Sequence, residues 1–342
     1  MPAYIVRRLL SGLAMLFAIT LATFAVFRLI PLPPGCLLVP CGPNTSTTDA
    51  QIRAAEHKLG TDRSVPVQYG KFVWKIVRHG SFGASWTGGS IDQSVRAALP
   101  RTASVLLGGI VFLLLLAIPL GALSALHPQT AIDRAVLFFA LFGIALHPFL
   151  VGLGLTKLFA QYLHVVPDGG YCHFLPAKAP PPPPHVAPEN LPQVCGGPVA
   201  WAHHLLLPWL TFALFFLPLY TRMIRARFLE TLDTQYVMAA RGRGVSELRL
   251  LRSHALRPAL LPLVTMVGLD LGGALMAAIY IETIYGLGGI GSLMLGALAG
   301  GGATYDLPLI AAVFFVIAAF AIFITFAVDV VYAWLDPRVR IA

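Results

Sequence analysis

Ala103–Leu126 reads ASVLLGGIVFLLLLAIPLGALSAL, 24 residues without a charge. A helix needs about 20 largely apolar residues to cross about 30 Å of hydrocarbon, so this run is long enough to span a bilayer. Leu9–Ile30 is likewise apolar apart from Arg28 and follows Arg7 and Arg8. A signal peptide would have an apolar core of about 7–15 residues and a small-residue cleavage site. This run is longer and lacks an A-x-A exit, so it reads as an uncleaved anchor. Four more runs follow, at Ala135–Leu163, Leu205–Met223, Ala259–Ile281 and Leu307–Leu335. The last exceeds one crossing and must tilt or extend into water.

Composition agrees. The 342 residues are 57% hydrophobic and 11% charged, against about 25% charged in soluble chains. That excludes an ordinary water-soluble enzyme, and the apolar content excludes disorder. The expected fold class is an all-α integral membrane protein with six transmembrane helices. The net charge of +9 reads as cytoplasmic loop charge and not as a nucleic-acid surface. An N-terminus inside puts Arg7, Arg8, Arg134, Arg222, Arg225, Arg227, Arg241, Arg243, Arg249, Arg252, Arg257, Arg338 and Arg340 in the cytoplasm. The second and third outer loops then carry only Lys178. The first outer loop is basic, but long loops cross largely regardless of charge. The four regions are an N-terminal transmembrane helix (1–31), an extracytoplasmic insertion (32–98), a five-helix core (99–335) with a cytoplasmic loop at 222–257, and a cytoplasmic tail (336–342).

The four cysteines, Cys36, Cys41, Cys172 and Cys195, all fall on loops outside the cytoplasm, where disulfides persist. Cys36–Cys41 and Cys172–Cys195 are the simplest pairing among three connectivities, with free thiols or a metal site as alternatives. No C-x-x-C strengthens the metal reading, and no metal ligand set is expected. In the insertion, Val65, Tyr69, Phe72, Val73 and Ile76 sit near helical spacing. Pro180–Pro184 reads as a stiff polyproline spacer.

The informative loop runs TRMIRARFLETLDTQYVMAARGRGVSELRLLRSHALRPALLP from Thr221 to Pro262. Short helices are expected around Thr234–Arg243 and from Ser246 to about Leu256. Gly242 and Gly244 permit a sharp turn between them, and Ser246 with Glu247 suits a helix start. Such a helix-turn-helix can act as a knob for a cytoplasmic partner, or lie as a basic loop on anionic lipid.

Other motifs carry no chemistry. No phosphate loop occurs. Gly286–Gly291 fits G-x-G-x-x-G, but it follows an apolar span instead of a strand, so a tight turn is expected and not a dinucleotide site. His203–His204 beside Trp201 and Trp209 reads as an interfacial pair. Ionisable residues within spans are functional candidates by default. Asp270 lies near the middle of the fifth span and Glu282 at its outer end. Asp270 would line a polar path, carry a proton, or simply bond a neighbouring helix. Three functions survive: the membrane subunit of an importer driven by a separate ATPase, a proton-coupled carrier using Asp270 and Glu282, and a membrane-embedded enzyme. The enzyme lacks a nucleophile–base or metal constellation. The carrier lacks the internal repeats such proteins often show.

YVMAARGRGVSELRLLRSHALRPALL at Tyr236–Leu261 resembles the EAA loop of binding-protein-dependent ABC importers in its peptide-permease form. The likeness extends through YIVRRLL (Tyr4–Leu10), RLIP (Arg28–Pro31), VPVQY (Val65–Tyr69), SFGASWTGG (Ser81–Gly89), LPRTASVLL (Leu99–Leu107), IPLGALSAL (Ile118–Leu126), IETIYGLGGIGSLM (Ile281–Met294) and DPRVR (Asp336–Arg340). These resemble the first-type membrane subunit of dipeptide and oligopeptide importers. The resemblance implies a type I ABC importer permease fold and a transport subunit, not an enzyme. It implies a homologous second permease, two cytoplasmic ATPases that hold the ATP and Mg, and an extracytoplasmic binding protein. It also implies that this chain carries no cofactor and sits in lipid in a bacterial inner membrane. Tyr236, Ala239, Ala240, Arg241, Gly244, Glu247 and Leu248 would couple to an ATPase. Asp270 and Glu282 would lie on the translocation path. The sequence departs from the general EAA pattern at Met238-Ala239-Ala240 and at Arg257, where that pattern has Glu and Pro. Short peptides are the expected cargo; relatives carrying haem, nickel chelates or glutathione give the alternative.

Overall fold

The computed structural model describes residues 2–28, 48–59, 62–85, 89–144, 147–175, 195–250, 256–299 and 306–335. Cys36, Cys41, the Pro180–Pro184 run, Leu251–Ala255 and the 336–342 tail lie outside the described residues, as do the side chains of Glu247 and Leu248. The chain is helical: α1 (Pro2–Arg28), α2 (Asp49–Leu59), α3 (Val65–His79), α4 (Ile91–Leu126), α5 (Ala131–Ile144), α6 (Pro148–Leu155), a π-helical stretch (Thr156–Tyr162), α7 (Pro198–Leu232), α8 (Gln235–Gly242), α9 (Glu247–Leu250), α10 (Leu256–Leu269), α11 (Leu271–Ile284), α12 (Ile290–Ala299) and α13 (Leu307–Leu335). Among the described residues, Ile91–Leu126, Pro198–Leu232 and Leu307–Val328 are long and apolar enough to cross a membrane; Leu10–Ala25, Gly273–Ile284 and Ile290–Ala299 are shorter apolar helices.

Two expected spans are interrupted, each for a local reason. The Ala135–Leu163 run breaks before Pro148, whose ring bars a continuing helix. His147 caps the restart, its Nδ1 accepting from Phe149 N at 3.3 Å. The Ala259–Ile281 run divides at Asp270 between α10 and α11, beside Gly268, Gly272 and Gly273. Two other helices outgrow their apolar cores. α4 begins at Ile91, so Arg101 lies within it, and α7 continues to Leu232, so Arg222, Arg225 and Arg227 are helical and not loop.

The chain forms two compact units, Met1–Pro100 with Gly289–Ala333, and Arg101–Gly288. In the first, α3 packs on α1: Phe24, Tyr69, Phe72, Leu307 and Ala311 form one core cluster, and the Tyr69 hydroxyl meets Thr20 Oγ1 at 2.8 Å. A second cluster joins Ile91, Val95 and Ala98 of α4 to Ile290, Ala312 and Val313. Ser85 donates to Asp306 within the same unit.

In the second unit, glycines on α4 admit α7. A Cβ on Gly108 would stand 2.1 Å from Trp209 Nε1, and one on Gly121 2.6 Å from Ile224 Cγ2. Small residues substitute backbone contact for the hydrophobic drive that lipid removes. Trp209 Nε1 donates to Ser104 O at 2.9 Å, and Thr211 Oγ1 meets the Tyr285 hydroxyl at 2.8 Å. On the outside of α4, Leu107, Val111 and Leu115 form an exposed stripe, which needs lipid or a partner to cover it.

Gly108→Ala should lower the unfolding stability of the detergent-solubilised chain by about 1–3 kcal/mol through overpacking. Gly154→Ala, where an added Cβ meets nothing within 4 Å, should be neutral or mildly stabilising. Equal melting temperatures for the two variants would contradict the close α4–α7 approach.

Candidate functional site

α7 leads directly into the α8–α9 corner. Thr234 has extended backbone and its carbonyl receives Val237 N at 3.1 Å and Met238 N at 3.0 Å, which starts α8. Thr234 Oγ1 donates back to Thr231 O at 2.6 Å, tying that start to the end of α7. Val237 is fully buried and Leu250 on α9 likewise. Tyr236, Met238, Ala239 and Arg241 are exposed and Ala240 is half-buried. Gly244 has φ +82°, the left-handed turn between α8 and α9, with Gly244 N bonded to Arg241 O at 2.9 Å. Glu247 opens α9 and Leu248 follows it in the backbone. Two buried residues therefore hold a short hairpin whose outer face is half apolar and basic.

Sequence reading passed over the buried acid that holds α7 above this corner. Asp133, in the first turn of α5, is 2% exposed. Arg225 of α7 grips it with both arms, Nε to Oδ1 and Nη2 to Oδ2, each at 2.7 Å. Ser124 Oγ of α4 also donates to Oδ1, and Gln129 N donates to Oδ2 at 2.9 Å. Both oxygens are thus doubly satisfied, as a buried charge requires. The Arg225 hydrogen bonds hold the Asp133 carboxyl well below the usual carboxylate range, against the opposing effect of burial. The only sequence signal was an acid opening a helix after the His127–Thr130 turn, with a basic loop elsewhere to answer it.

The two acids expected on the translocation path are not brought together. Twelve residue steps along α11 separate them, about 18 Å at 1.5 Å per residue. Asp270 caps α11 without a side-chain cap bond. Its Oδ2 is buried with no hydrogen-bond partner among the described residues, and the Tyr220 hydroxyl lies beside the carboxyl. Glu282 is fully buried and accepts from Thr102 Oγ1 of α4. One residue away, Arg101 Nη1 donates to Gly288 O at 3.0 Å and its guanidinium lies 5.7 Å from the Tyr171 ring. Gly286 and Gly288 both have positive φ, so the start of the glycine-rich motif is a turn whose carbonyls bind an arginine.

Cys172 and Cys195 form a disulfide with Cα atoms 5.0 Å apart. His204 Nδ1 faces Gly169 O and Gly170 O at 3.2 and 3.3 Å, and its Nε2 lies 3.6 Å from Cys195 Sγ. Cys172, Cys195 and His204 are the cluster among the described residues with metal-ligand proximity, but sulfurs bonded to each other offer no thiolate. His203 and His204, with His164 and Asp168, line a cavity of about 660 Å³.

The described chain is thus helical, with apolar helices long enough to cross a membrane and a short helical corner following α7. Residues 117–341 match the family described as the binding-protein-dependent transport system inner membrane component, and residues 1–88 match that family's N-terminal part. The chain belongs to this family; it is a multi-pass inner membrane permease of an ABC transport system that depends on a binding protein and on ATPase partners. It is 31% identical over its whole length to a Brucella suis biovar 1 protein named as a candidate peptide permease, also covered completely. It is 32% identical to the probable D,D-dipeptide transport system permease protein DdpB of Escherichia coli K12, covering 98% of this chain and 97% of that one. A solved chain of the inward-facing MetNI methionine ABC transporter superposes with TM-score 0.53 at 15% identity, covering 71% of this chain and 97% of the other. That likeness supports the fold.

Asp133→Asn should destabilise the chain by about 3–5 kcal/mol, because it leaves Arg225 without its ionised partner. A carboxyl depressed in the folded state contributes stability that is present above its unfolded value of about 3.9 and is lost as pH falls. Wild type should therefore be insensitive to this group between pH 5 and 8 and weaken below about pH 4. The difference between wild-type and variant unfolding midpoints should shrink on acidification. Cys172→Ser should cost about 3 kcal/mol through the opened loop, read as a lower melting temperature under non-reducing conditions.

Proposed function

We propose that this chain is the permease of an ATP-driven importer of short peptides, working by alternating access. Full-length relatives named for peptide and dipeptide transport support the cargo. The six crossings of this reading are α1, α4, α5 with α6 and the π stretch, α7, α10 with α11, and α13. Both termini face the cytoplasm, which puts the α8–α9 corner inside and the Cys172–Cys195 bridge outside. A homologous permease completes the pore, two cytoplasmic ABC ATPases supply the nucleotide chemistry with ATP and Mg, and an extracytoplasmic binding protein delivers the peptide.

The observation that carries the reading is the α8–α9 hairpin, anchored by Val237 and Leu250 and exposing Tyr236 and Met238 at about half of their surface. Exposed apolar residues on a rigid, basic knob need a partner groove to cover them. Tyr236, Ala239, Ala240, Arg241, Gly244, Glu247 and Leu248 make that contact. When the ATPases close on nucleotide, they displace the hairpin, and α7 and α10 carry the displacement to the pore. Asp270, with Tyr220 beside it, and Glu282 give the path its polar points, in a segment where buried carboxylates are costly without a function.

Gly244→Leu tests the coupling. The space around Gly244 is open, so the penalty is conformational: a side chain at φ +82° is strained and re-aims α9. The variant should assemble with its membrane partner yet lose uptake of labelled di- and oligopeptides. Normal uptake would overturn the coupling role. Wild-type uptake of haem, a nickel chelate or glutathione in place of peptide would keep the importer and replace its cargo.

A further inference from the structure

We propose that the Asp133–Arg225 pair is a positioning device that makes the far end of α7 a rigid lever, transmitting displacement of the α8–α9 hairpin into α4 and α5. The proposal rests on the importer reading above and adds residues outside the coupling loop.

α7 carries Pro208 and Pro218 in its interior. A proline removes one ladder bond and crowds the preceding turn, so helices bend there. Beyond Pro218 lies a segment of about 20 Å ending at Leu232, from the rise per residue. Left to itself, such a segment would pivot at Pro218 when its end is pushed, and the pore would not feel the push. Three features of the structure oppose that pivot. Ile224 and Phe228 are fully buried, and Ile224 sits over the Gly121 notch of α4. Asp233 N bonds Leu229 O at 3.1 Å, so helical hydrogen bonding runs unbroken to the end of α7. Arg225 then binds both oxygens of Asp133 in a planar two-point contact that resists rotation as well as separation.

The pair also gathers three elements at one carboxylate. Ser124 ends α4, Gln129 lies in the α4–α5 turn with a left-handed φ of 63°, and Asp133 opens α5. A push on α8 reaches Arg225 through the Thr234–Thr231 contact and from there loads α4 and α5 together. A single ion pair on a solvated face would slip under such a load. Burial and four donors to two oxygens make this one a fixed joint.

The test is the ratio of peptide transported to ATP hydrolysed, in proteoliposomes holding the full complex and supplied with binding protein. Asp133→Asn and Arg225→Gln should each lower that ratio at least tenfold while the assembled complexes still hydrolyse ATP. The double variant should be no worse than either single, since one interaction is lost once. Arg225→Lys and Ser124→Ala keep both charges and carry the test if the neutral variants fail to assemble. Lysine forfeits the two-point grip and should lower the ratio several-fold; Ser124→Ala should lower it about twofold. A wild-type ratio in assembled Asp133→Asn, Arg225→Gln or Arg225→Lys complexes overturns the lever. Absence of ATP-driven peptide uptake by the wild-type complex would instead overturn the importer reading itself.

Discussion

Hydrocarbon offers no hydrogen-bond partner to a peptide group, and the architecture follows from that constraint. Backbone at membrane depth must satisfy itself, which leaves helices as the form an apolar chain of this composition adopts. The same constraint governs the interruptions. Where Pro148 stops a helix, His147 supplies an acceptor to the freed Phe149 N–H. Where α10 gives way to α11, Asp270 N still reaches Met266 O and Ala274 N still reaches Asp270 O, so the chain deflects without abandoning its backbone bonds. Lipid also removes the hydrophobic drive between helices, so α4 and α7 meet where Trp209, Phe212 and Ile224 seat in glycine notches of α4.

Charge inside this framework is handled residue by residue. Asp133 is completed by four donors, Glu282 by Thr102 among its contacts, and Arg101 by the carbonyls of a glycine turn and the face of Tyr171. Among the described residues, Arg101 Nε and one oxygen of Asp270 are buried without a hydrogen-bond partner.

Much of this was legible in the residues. Apolar runs located the helices, because an uncharged stretch of that length has few alternatives in water or lipid. The α3 register was readable from Val65, Tyr69, Phe72, Val73 and Ile76, and Tyr69 and Phe72 are the buried members. The α8 helix and the Gly244 turn were readable because glycine flanking a short amphipathic segment has a specific backbone use. The true ends of α4 and α7 were not. Hydropathy marks where a helix is apolar, whereas helical hydrogen bonding continues through Arg101 and Arg225 as long as those side chains find partners elsewhere in the fold.

Sequence by itself determined the class of protein, the places where helices run and the short helical corner after Thr234, since each depends on local composition and spacing. Tertiary structure alone decided that Asp133 meets Arg225 across 92 residues of chain, that Gly108 receives Trp209, and that Glu282 accepts from Thr102. Such pairings carry no local signature, because the energy that selects them comes from burying a charge or a notch against a partner that only the folded chain brings near.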